Sequence, residues 1–234
     1  LSKLVIGTAQ YGMNYGLTNK TGKVTDYEMK KILDLASKNN IKTIDTAINY
    51  GDCEQRLGEL SINNFDIISK ISNLQDIREN LKIFTAKTIE KSVKNLKISN
   101  LNTLLLHSTN DLLLEKKHEV YEAIWNCKNI GLCEKIGISA YNVKEVREII
   151  KYFDIDVVQF PFSVFNTQLL ESGLLFELKA KNIEVHVRSI FLQGLLLMNK
   201  LEINPYFQTW SNLFENWENW LIQNDISKIA ACLL

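Results

Sequence analysis

Four side chains suited to acid–base chemistry occur where short apolar segments end. They are Asp45 in TIDTA, Tyr50 in the run DTAINYG, Lys70 at the end of DIISK and His107 at the end of TLLLH. Hydride reduction of a carbonyl leaves an alkoxide that must gain a proton, so a positioned acid is required. A phenol with a pKa of about 10 donates poorly at neutral pH, and a nearby ammonium lowers that pKa. The combination therefore points to carbonyl reduction.

Each of the four side chains has one role in this interpretation. Tyr50 donates the proton, and Lys70 lowers the pKa of the phenol. Asp45 holds the ammonium in place, and a neutral His107 donates a hydrogen bond to the carbonyl oxygen. Each also has an ordinary structural role as an alternative. Asp45 could bond to a buried backbone group, and Lys70 could extend its amine to solvent. Tyr50 could simply pack, and His107 could be a hydrogen-bonded residue at the rim. The four together solve one chemical problem, which favours catalysis.

Seven apolar segments alternate with helical patterns and position these residues. The predicted strands are Leu4–Gln10, Thr43–Ala47, Asp66–Lys70, Thr103–His107, Glu134–Ser139, Val157–Pro161 and Glu184–Ser189. Their starts are about 30 residues apart, the size of one βα unit. Apolar strands joined by crossover helices predict a parallel sheet that is covered on both faces. In a barrel of this kind the C-terminal ends of the strands share one mouth, where the catalytic residues lie.

Capping residues and buried stripes mark the helices between these strands. The predicted caps are Thr25 with Glu28, Asp52 before a helix over Cys53–Leu60, and Asn142 with Glu145. Apolar residues at positions i, i+4 and i+7 predict two buried stripes, Ile89, Val93 and Leu96, and Val120, Ile124 and Cys127.

The first βα turn favours a barrel over an open, doubly wound sheet. Its sequence, GTAQYG, lacks the G-x-G-x-x-G pattern of a dinucleotide-binding turn. No linker-like or low-complexity stretch divides the chain. We therefore expect a (β/α)8 TIM barrel with about seven βα units present, and residues 1–234 as one domain.

Composition excludes several classes of protein. The chain has 234 residues, 46% of them hydrophobic, and its 27 basic residues balance 27 acidic ones. No global field attracts nucleic acid or an anionic membrane. No apolar run approaches the roughly 18–20 residues of a membrane span. We therefore expect neither nucleic acid nor membrane as a partner, and the oligomeric state stays open.

Cysteines and histidines argue against a metal or disulfide framework. Cys53, Cys127, Cys133 and Cys232 lie far apart, with no CxxC pair, which is typical of free thiols in a reducing cytoplasm. A metal-dependent barrel hydrolase would need an H-x-H pair or clustered carboxylates at strand ends. His118 falls in a helical pattern and His186 in mid-strand, where we expect it to pack inside, so no metal site is expected.

Several segments, taken in order, resemble the aldo/keto reductase superfamily. They are GTAQYG, DTAINYGDCEQRLGE, the lysine that ends strand three, LLLH, IGISAYN, VVQFPFSVFN and RSIFLQGLLL, which together run from Leu4 to about Met198. The resemblance implies that NADPH, less often NADH, lies across the barrel mouth and that a small-molecule carbonyl is the substrate. It also implies that Asp45, Tyr50, Lys70 and His107 form the family's catalytic tetrad.

Matching positions in the resemblance imply the cofactor contacts. Ser139 and Gln159 hold the nicotinamide carboxamide. The remaining implied contacts are Gly7, Thr8 and Ala9 beneath the cofactor, Ser189, Leu192, Gln193 and Gly194 along the pyrophosphate, and Asp45 and Arg188 at the nicotinamide.

The sequence departs from the family pattern in three places. Ala140 replaces a common asparagine, which removes one carboxamide contact. Arg188 replaces the aromatic residue that commonly stacks on the nicotinamide ring. A guanidinium can also stack on a ring, but its charge would disfavour the oxidised nicotinamide, which is a cation. It could also bind an acidic group of the substrate. This combination resembles the branch that makes bacterial surface sugars, which implies a sugar-derived carbonyl. The eighth strand and the helix that grips the adenosine phosphate are expected after Leu234, so the chain is interpreted as a fragment whose barrel has an open seam.

Two further interpretations stay open at this point. Potassium-channel β subunits resemble the same family, so a non-catalytic dinucleotide-binding module is the alternative to an enzyme. The aromatic residues Phe207, Trp210, Phe214, Trp217 and Trp220 have helical spacing and predict core packing. The preceding loop, Lys200–Tyr206, is the alternative functional feature there, as a wall of the substrate pocket.

Overall fold

Seven parallel strands form one curled sheet in chain order. The computed structural model describes residues 4–199 and 202–234. Its strands are β1 (Val5–Gly7), β2 (Thr43–Asp45), β3 (Asp66–Ile71), β4 (Leu101–Leu106), β5 (Cys133–Ser139), β6 (Val157–Pro161) and β7 (Glu184–Arg188). Each strand pairs in parallel with the next, and in the described residues β1 and β7 are the two edges of the sheet. The arrangement is that of a (β/α) barrel with seven strands, as the strand pattern predicts.

Helices follow the strands and cover the outside of the sheet. They are α1 (Ala9–Gly12), α2 (Asp26–Lys38), α3 (Cys53–Gly58), α4 (Leu81–Leu96), α5 (Lys117–Asn129), α6 (Val143–Tyr152), α7 (Gln168–Glu171), α8 (Leu174–Ala180), α9 (Ser211–Gln223) and α10 (Lys228–Leu233). Short 3-10 segments occupy 74–76, 109–112, 192–197 and 205–210.

The longer helices bury one stripe each, because their apolar residues repeat at helical spacing. Ile89 and Leu96 of α4 are fully buried and Val93 packs against the same core. All three stripe residues of α5 are buried. Inside the barrel, Ile68, Leu105 and Val157 form a separate cluster from β3, β4 and β6. The interior at that level is therefore filled with side chains, and chemistry is confined to the strand ends.

Several predicted strands differ at their ends from the observed ones. The first stops at Gly7 because α1 begins at Ala9, and the second stops at Asp45. The fourth starts earlier, at Leu101, and ends at Leu106. His107 still continues the ladder, since its N–H donates to the Ile71 carbonyl at 2.7 Å.

Two of the predicted caps are wrong in detail. Asp52 stands at the N-cap of α3, but its carboxylate makes no cap bond because it pairs with Lys23 at 2.9 Å. Glu145 does not close a capping box, because its carboxylate accepts a bond from the Thr109 hydroxyl at 2.7 Å. The N-cap side chain itself bonds to the helix in two of the three predicted caps: Thr25 accepts from the N–H of residue 28, and Asn142 from that of residue 144. Helix α3 ends at Gly58, two residues earlier than predicted.

The C-terminal aromatics only partly form a core. Phe214 and Trp217 of α9 are buried, Phe207 is half-buried, and Trp210 and Trp220 are 46% exposed each, so the predicted packing is right for two of the five. The chain first makes a 3-10 segment at 205–210, which breaks the helical spacing. Of the proposed pocket wall at 200–206, residues 200 and 201 lie outside the described residues.

The cysteines and the two histidines outside the candidate site mostly lie in buried or half-buried positions. The four cysteines are free, and all but Cys232 are buried. No group of three or more potential metal ligands occurs in the part of the chain that the structure describes. His118 lies in α5 against a phenylalanine ring, and His186 in β7, largely buried and bonded to Glu184. None of the helices described has the length and apolar character needed to cross a membrane.

Candidate active site

The loop that carries Tyr50 is held against α1 by two glycines. A Cβ at Gly12 would overlap the Tyr50 carbonyl oxygen, and one at Gly51 would overlap the Gly12 carbonyl. Gly51 also has a φ of +60°, in the left-handed region that favours glycine. The glycines that end GTAQYG and DTAINYG therefore let two backbones touch, and this contact places Tyr50 at the mouth.

Lys70 and Asp45 form a buried ion pair at the ends of β3 and β2. The Lys70 amine donates to Asp45 Oδ1 at 2.7 Å and to the Thr46 carbonyl at 2.8 Å. Its side chain is 1% exposed, while that of Asp45 is 16% exposed. Burial lowers the pKa of Lys70, and the Asp45 charge opposes that shift. The carboxylate thus holds both the position and the charge of the amine.

Tyr50 and His107 lie directly against this pair. The Lys70 amine lies over the Tyr50 ring, 5.3 Å from its centroid. The Tyr50 and His107 rings meet edge to face, with centroids 5.8 Å apart. The structure therefore brings together all four side chains that the sequence singled out.

The pKa of Tyr50 moves in the opposite direction to the one expected. Burial raises it above its ordinary value, and the Asp45 carboxylate adds to the increase, while Arg188 opposes it. The expected decrease is wrong as the net direction, because burial has the largest effect on this pKa and the Asp45 carboxylate, which lies 2.7 Å from the Lys70 amine, adds to the increase. Tyr50 therefore keeps its proton at neutral pH.

His107 carries no charge near neutral pH. Burial lowers its pKa to about 4, and the positive charge of Lys70 lowers it further, against the opposing effect of Asp45. A neutral imidazole has one N–H to donate, which is the form that orients a carbonyl oxygen.

A chain of hydrogen bonds crosses the mouth from β7 to β2. The Arg188 Nε donates to Ser139 Oγ at 3.3 Å, and Ser139 Oγ donates to Gln159 Oε1 at 3.2 Å. Gln159 Nε2 then donates to Asp45 Oδ1 at 3.2 Å. Ser139 and Gln159 are each 3% exposed. Three residues that the resemblance assigned to the cofactor are therefore connected to the Asp45–Lys70 pair, Gln159 directly and Ser139 and Arg188 through it.

The three residues at the end of β1 have different environments. The Thr8 N–H and hydroxyl both donate to the Asp45 carbonyl, at 3.0 and 2.9 Å, and Thr8 is fully buried. Thr8 thus fixes the backbone of Asp45 and does not face the mouth. Gly7 has open space where a Cβ would lie, and Ala9 is half-buried at the start of α1.

The loop after β7 lies beside the loop after β1. Ser189, Leu192, Gln193 and Gly194 all have positive φ values. The Thr18 hydroxyl donates to the Gln193 carbonyl at 3.3 Å, and a Cβ at Gly194 would overlap the Thr18 side chain. The two segments that resemble cofactor loops are therefore neighbours at the same rim.

Two tyrosines at the mouth were missed by sequence reasoning. The Arg188 guanidinium lies over the Tyr141 ring, 3.9 Å from its centroid, and Tyr141 is 70% exposed. Tyr15 is near enough to Tyr50 to raise its pKa. Tyr141 lies two residues after the end of β5, and this position next to the barrel mouth could have identified it from the sequence. Nothing in the pattern around Tyr15 marks it.

Two surface grooves lie away from the mouth. One is lined by Asp156, Lys181 and Glu184, and another by Asp66 and Asn102, near the starts of the strands. Because these residues lie at the opposite ends of the strands from the tetrad, the grooves do not belong to the site at the mouth.

Comparisons with known proteins give a consistent result. The model of the aldo/keto reductase family matches residues 3–233. An uncharacterized oxidoreductase of Schizosaccharomyces pombe is 29% identical over 136 residues, which are 55% of this chain and 49% of that protein. An NAD(P)H-dependent 6'-deoxychalcone synthase of Glycine max is 26% identical over 154 residues, 55% of this chain and 48% of that protein. The chain thus spans about half the length of the curated relatives it matches.

Solved structures share the fold. A glycerol dehydrogenase from Gluconobacter oxydans superposes with a TM-score of 0.74, covering 99% of this chain and 78% of that one, at 18% identity. At that identity the likeness establishes the fold alone, and it confirms the barrel predicted from the strand pattern.

Proposed function

Because the chain belongs to the aldo/keto reductase family, we propose that it is a nicotinamide-dependent oxidoreductase that reduces an aldehyde or ketone to an alcohol. The observation that carries the proposal is the convergence of Asp45, Tyr50, Lys70 and His107 at one barrel mouth. The named relatives are an oxidoreductase and an NAD(P)H-dependent enzyme, which supports the same class.

The residues at the mouth fit a nicotinamide group. Ser139 and Gln159 offer a hydroxyl and an amide, which match the donor and acceptor of a carboxamide. Space beside Gly7 is open. In the proposal, Ser139 and Gln159 hold the carboxamide and the loop at 189–194 holds the phosphates. NADPH is the proposed form, and NADH is the alternative that titration tests.

Bound at the mouth, the reduced cofactor supplies a hydride to the carbonyl carbon. The His107 N–H orients the carbonyl oxygen by a hydrogen bond. Tyr50 then gives its proton to the alkoxide, which is a stronger base than a phenolate, so the transfer is favourable even from a phenol with a raised pKa. Lys70 remains beside the phenolate that forms and is kept there by Asp45.

The substrate proposed is a small carbonyl compound, with sugar-derived carbonyls among the candidates. Residues 1–234 are proposed to act as one domain, and a cytoplasmic location stays a prediction. These points rest on the sequence arguments above.

Loss of nicotinamide absorbance in the presence of aldehydes or keto-sugars tests the proposal. We expect Tyr50→Phe to lower turnover by about 10²- to 10⁴-fold, the usual contribution of a positioned acid. Tyr27→Phe is the matched control, because Tyr27 is an exposed residue of α2 and keeps full activity in the proposal. Full turnover by Tyr50→Phe would remove Tyr50 from its role. Tight cofactor binding with no turnover of any carbonyl, together with a stable complex with another protein, would instead favour the binding module.

A further inference from the structure

Arg188 has no acidic partner among the residues that the structure describes. Arg56 and Arg147 pair with Asp26 and Glu177, whereas the Arg188 guanidinium is held only by neutral groups within the described residues. Those groups are Ser139 Oγ at 3.3 Å, the Ala140 carbonyl at 3.1 Å, Ser189 Oγ at 3.4 Å and the face of Tyr141. Its charge is therefore not compensated.

The other ionisable groups of the mouth add no net charge. Asp45 and Lys70 offset each other at 2.7 Å. His107 is neutral because its pKa is lowered to about 4, and Tyr50 keeps its proton. Among the described residues of the mouth, Arg188 thus carries the charge that is left unbalanced, next to the groups that would bind the carbonyl.

The guanidinium is also fixed in place before any ligand arrives. It stacks on Tyr141 at 3.9 Å and is tied through Ser139 and Gln159 to Asp45. Three of its N–H groups point at protein acceptors, and the others have no acceptor among the described residues. A rigid, planar, partly unsatisfied guanidinium is suited to bind a carboxylate with little loss of side-chain entropy.

We propose that Arg188 determines substrate specificity by binding a carboxylate carried on the carbonyl substrate. The inference rests on the proposed function and narrows it to anionic aldehydes or ketones. It differs from a role toward the cofactor, since a residue that only stacks on the nicotinamide affects charged and neutral substrates alike.

A matched pair of substrates tests this inference. The initial rates of NADPH oxidation are measured with 4-formylbenzoate and with its methyl ester, which differ in charge and share the aldehyde. We expect the ratio of the two kcat/KM values to favour the anion in the native protein and to fall by about 10-fold to 100-fold in Arg188→Gln, the worth of a charge-assisted hydrogen bond. Arg188→Lys, which keeps the charge but loses the planar fork, is expected to retain part of the preference. Arg78→Gln, at an exposed arginine after the 3-10 turn at 74–76, is the control and keeps the native ratio.

Other outcomes count against the inference. If Arg188→Gln slows both aldehydes equally, or if it raises the dissociation constant for NADPH and leaves the ratio unchanged, Arg188 acts on the cofactor and the inference is wrong. An absence of turnover with either aldehyde speaks against the proposed function. Calorimetric titration with 4-(hydroxymethyl)benzoate and its methyl ester then decides the inference alone: carboxylate-selective binding lost in Arg188→Gln supports it, and equal affinity for the two overturns it.

Discussion

Removing either partner of the Asp45–Lys70 pair should cost unequal amounts of stability. Breaking a buried ion pair leaves one charge uncompensated, at a cost of about 3–5 kcal/mol. The Lys70 side chain is 1% exposed and cannot reach water, whereas Asp45 is 16% exposed and keeps the Gln159 amide as a donor. We therefore expect Asp45→Asn to cost about 3 kcal/mol, since the new amide oxygen still accepts one bond from the amine. Lys70→Met should cost less, about 1–2 kcal/mol, because the remaining carboxylate is partly solvated.

The effect should also depend on pH in a defined direction. Without Asp45 the pKa of Lys70 falls further, since burial already lowers it. Between that lowered value and the unfolded pKa of about 10.4, the unfolded chain binds more protons, so stability rises with pH. The destabilisation by Asp45→Asn therefore shrinks as the pH rises from the lowered pKa of folded Lys70 toward about 10.4, by up to about 1.4 kcal/mol per pH unit.

Urea unfolding followed by tryptophan fluorescence measures these quantities, with Trp217 as a buried reporter. The double variant Asp45→Asn with Lys70→Met is the control, because it has no buried amine to titrate and should show only the background pH dependence. The reasoning fails if Lys70→Met costs as much as Asp45→Asn, or if the single and double variants have the same pH slope.

Three further predictions concern groups around the site. The pKa of His107 is lowered to about 4, so the protein should lose stability as the pH falls from about 6.5 toward 4, because in that range the unfolded chain takes up a proton that folded His107 does not. NMR titration of the His107 ring measures this pKa, and a midpoint near about 6.5 would contradict the prediction. Glu54→Ala should lower the free energy of unfolding by about 2–4 kcal/mol, because its carboxylate accepts bonds from two buried serine hydroxyls at 2.8 and 2.6 Å; urea unfolding measures the loss. Gly12→Ala should displace the turn that carries Tyr50 and lower kcat, because the new Cβ would overlap the Tyr50 carbonyl oxygen. Steady-state kinetics measures the effect, and a native kcat would contradict it.

The barrel and the members of the tetrad were predictable because both depend on local patterns. Apolar strands recur at a regular spacing, and in a parallel barrel the strand ends must meet, so Asp45, Lys70 and His107 converge whatever the loops do. Strand ends were less predictable. The first strand stops at Gly7 because α1 starts two residues later, and an apolar run alone does not show where pairing stops.

Electrostatics at the site could not be obtained from the sequence. The direction of the Tyr50 pKa shift depends on how far Asp45 is from the Lys70 amine and how deeply the phenol is buried, and neither follows from spacing. The cap at Asp52 failed for a related reason, since a lysine 29 residues earlier takes its carboxylate. Such long-range partners appear only once the chain is folded.

The raised pKa of Tyr50 is compatible with a role for the nearby Lys70 amine in the proposed proton transfer. A buried ion pair contributes little net stability, so the Asp45–Lys70 pair is better explained by what it positions. It holds an ammonium over the Tyr50 ring, at the place where negative charge would develop when the phenol gives up its proton in the proposed reaction. Before that step the charge of Asp45 balances the amine and the phenol stays protonated. During the step the fixed ammonium, 5.3 Å from the centre of the Tyr50 ring, stays beside the phenolate without any rearrangement.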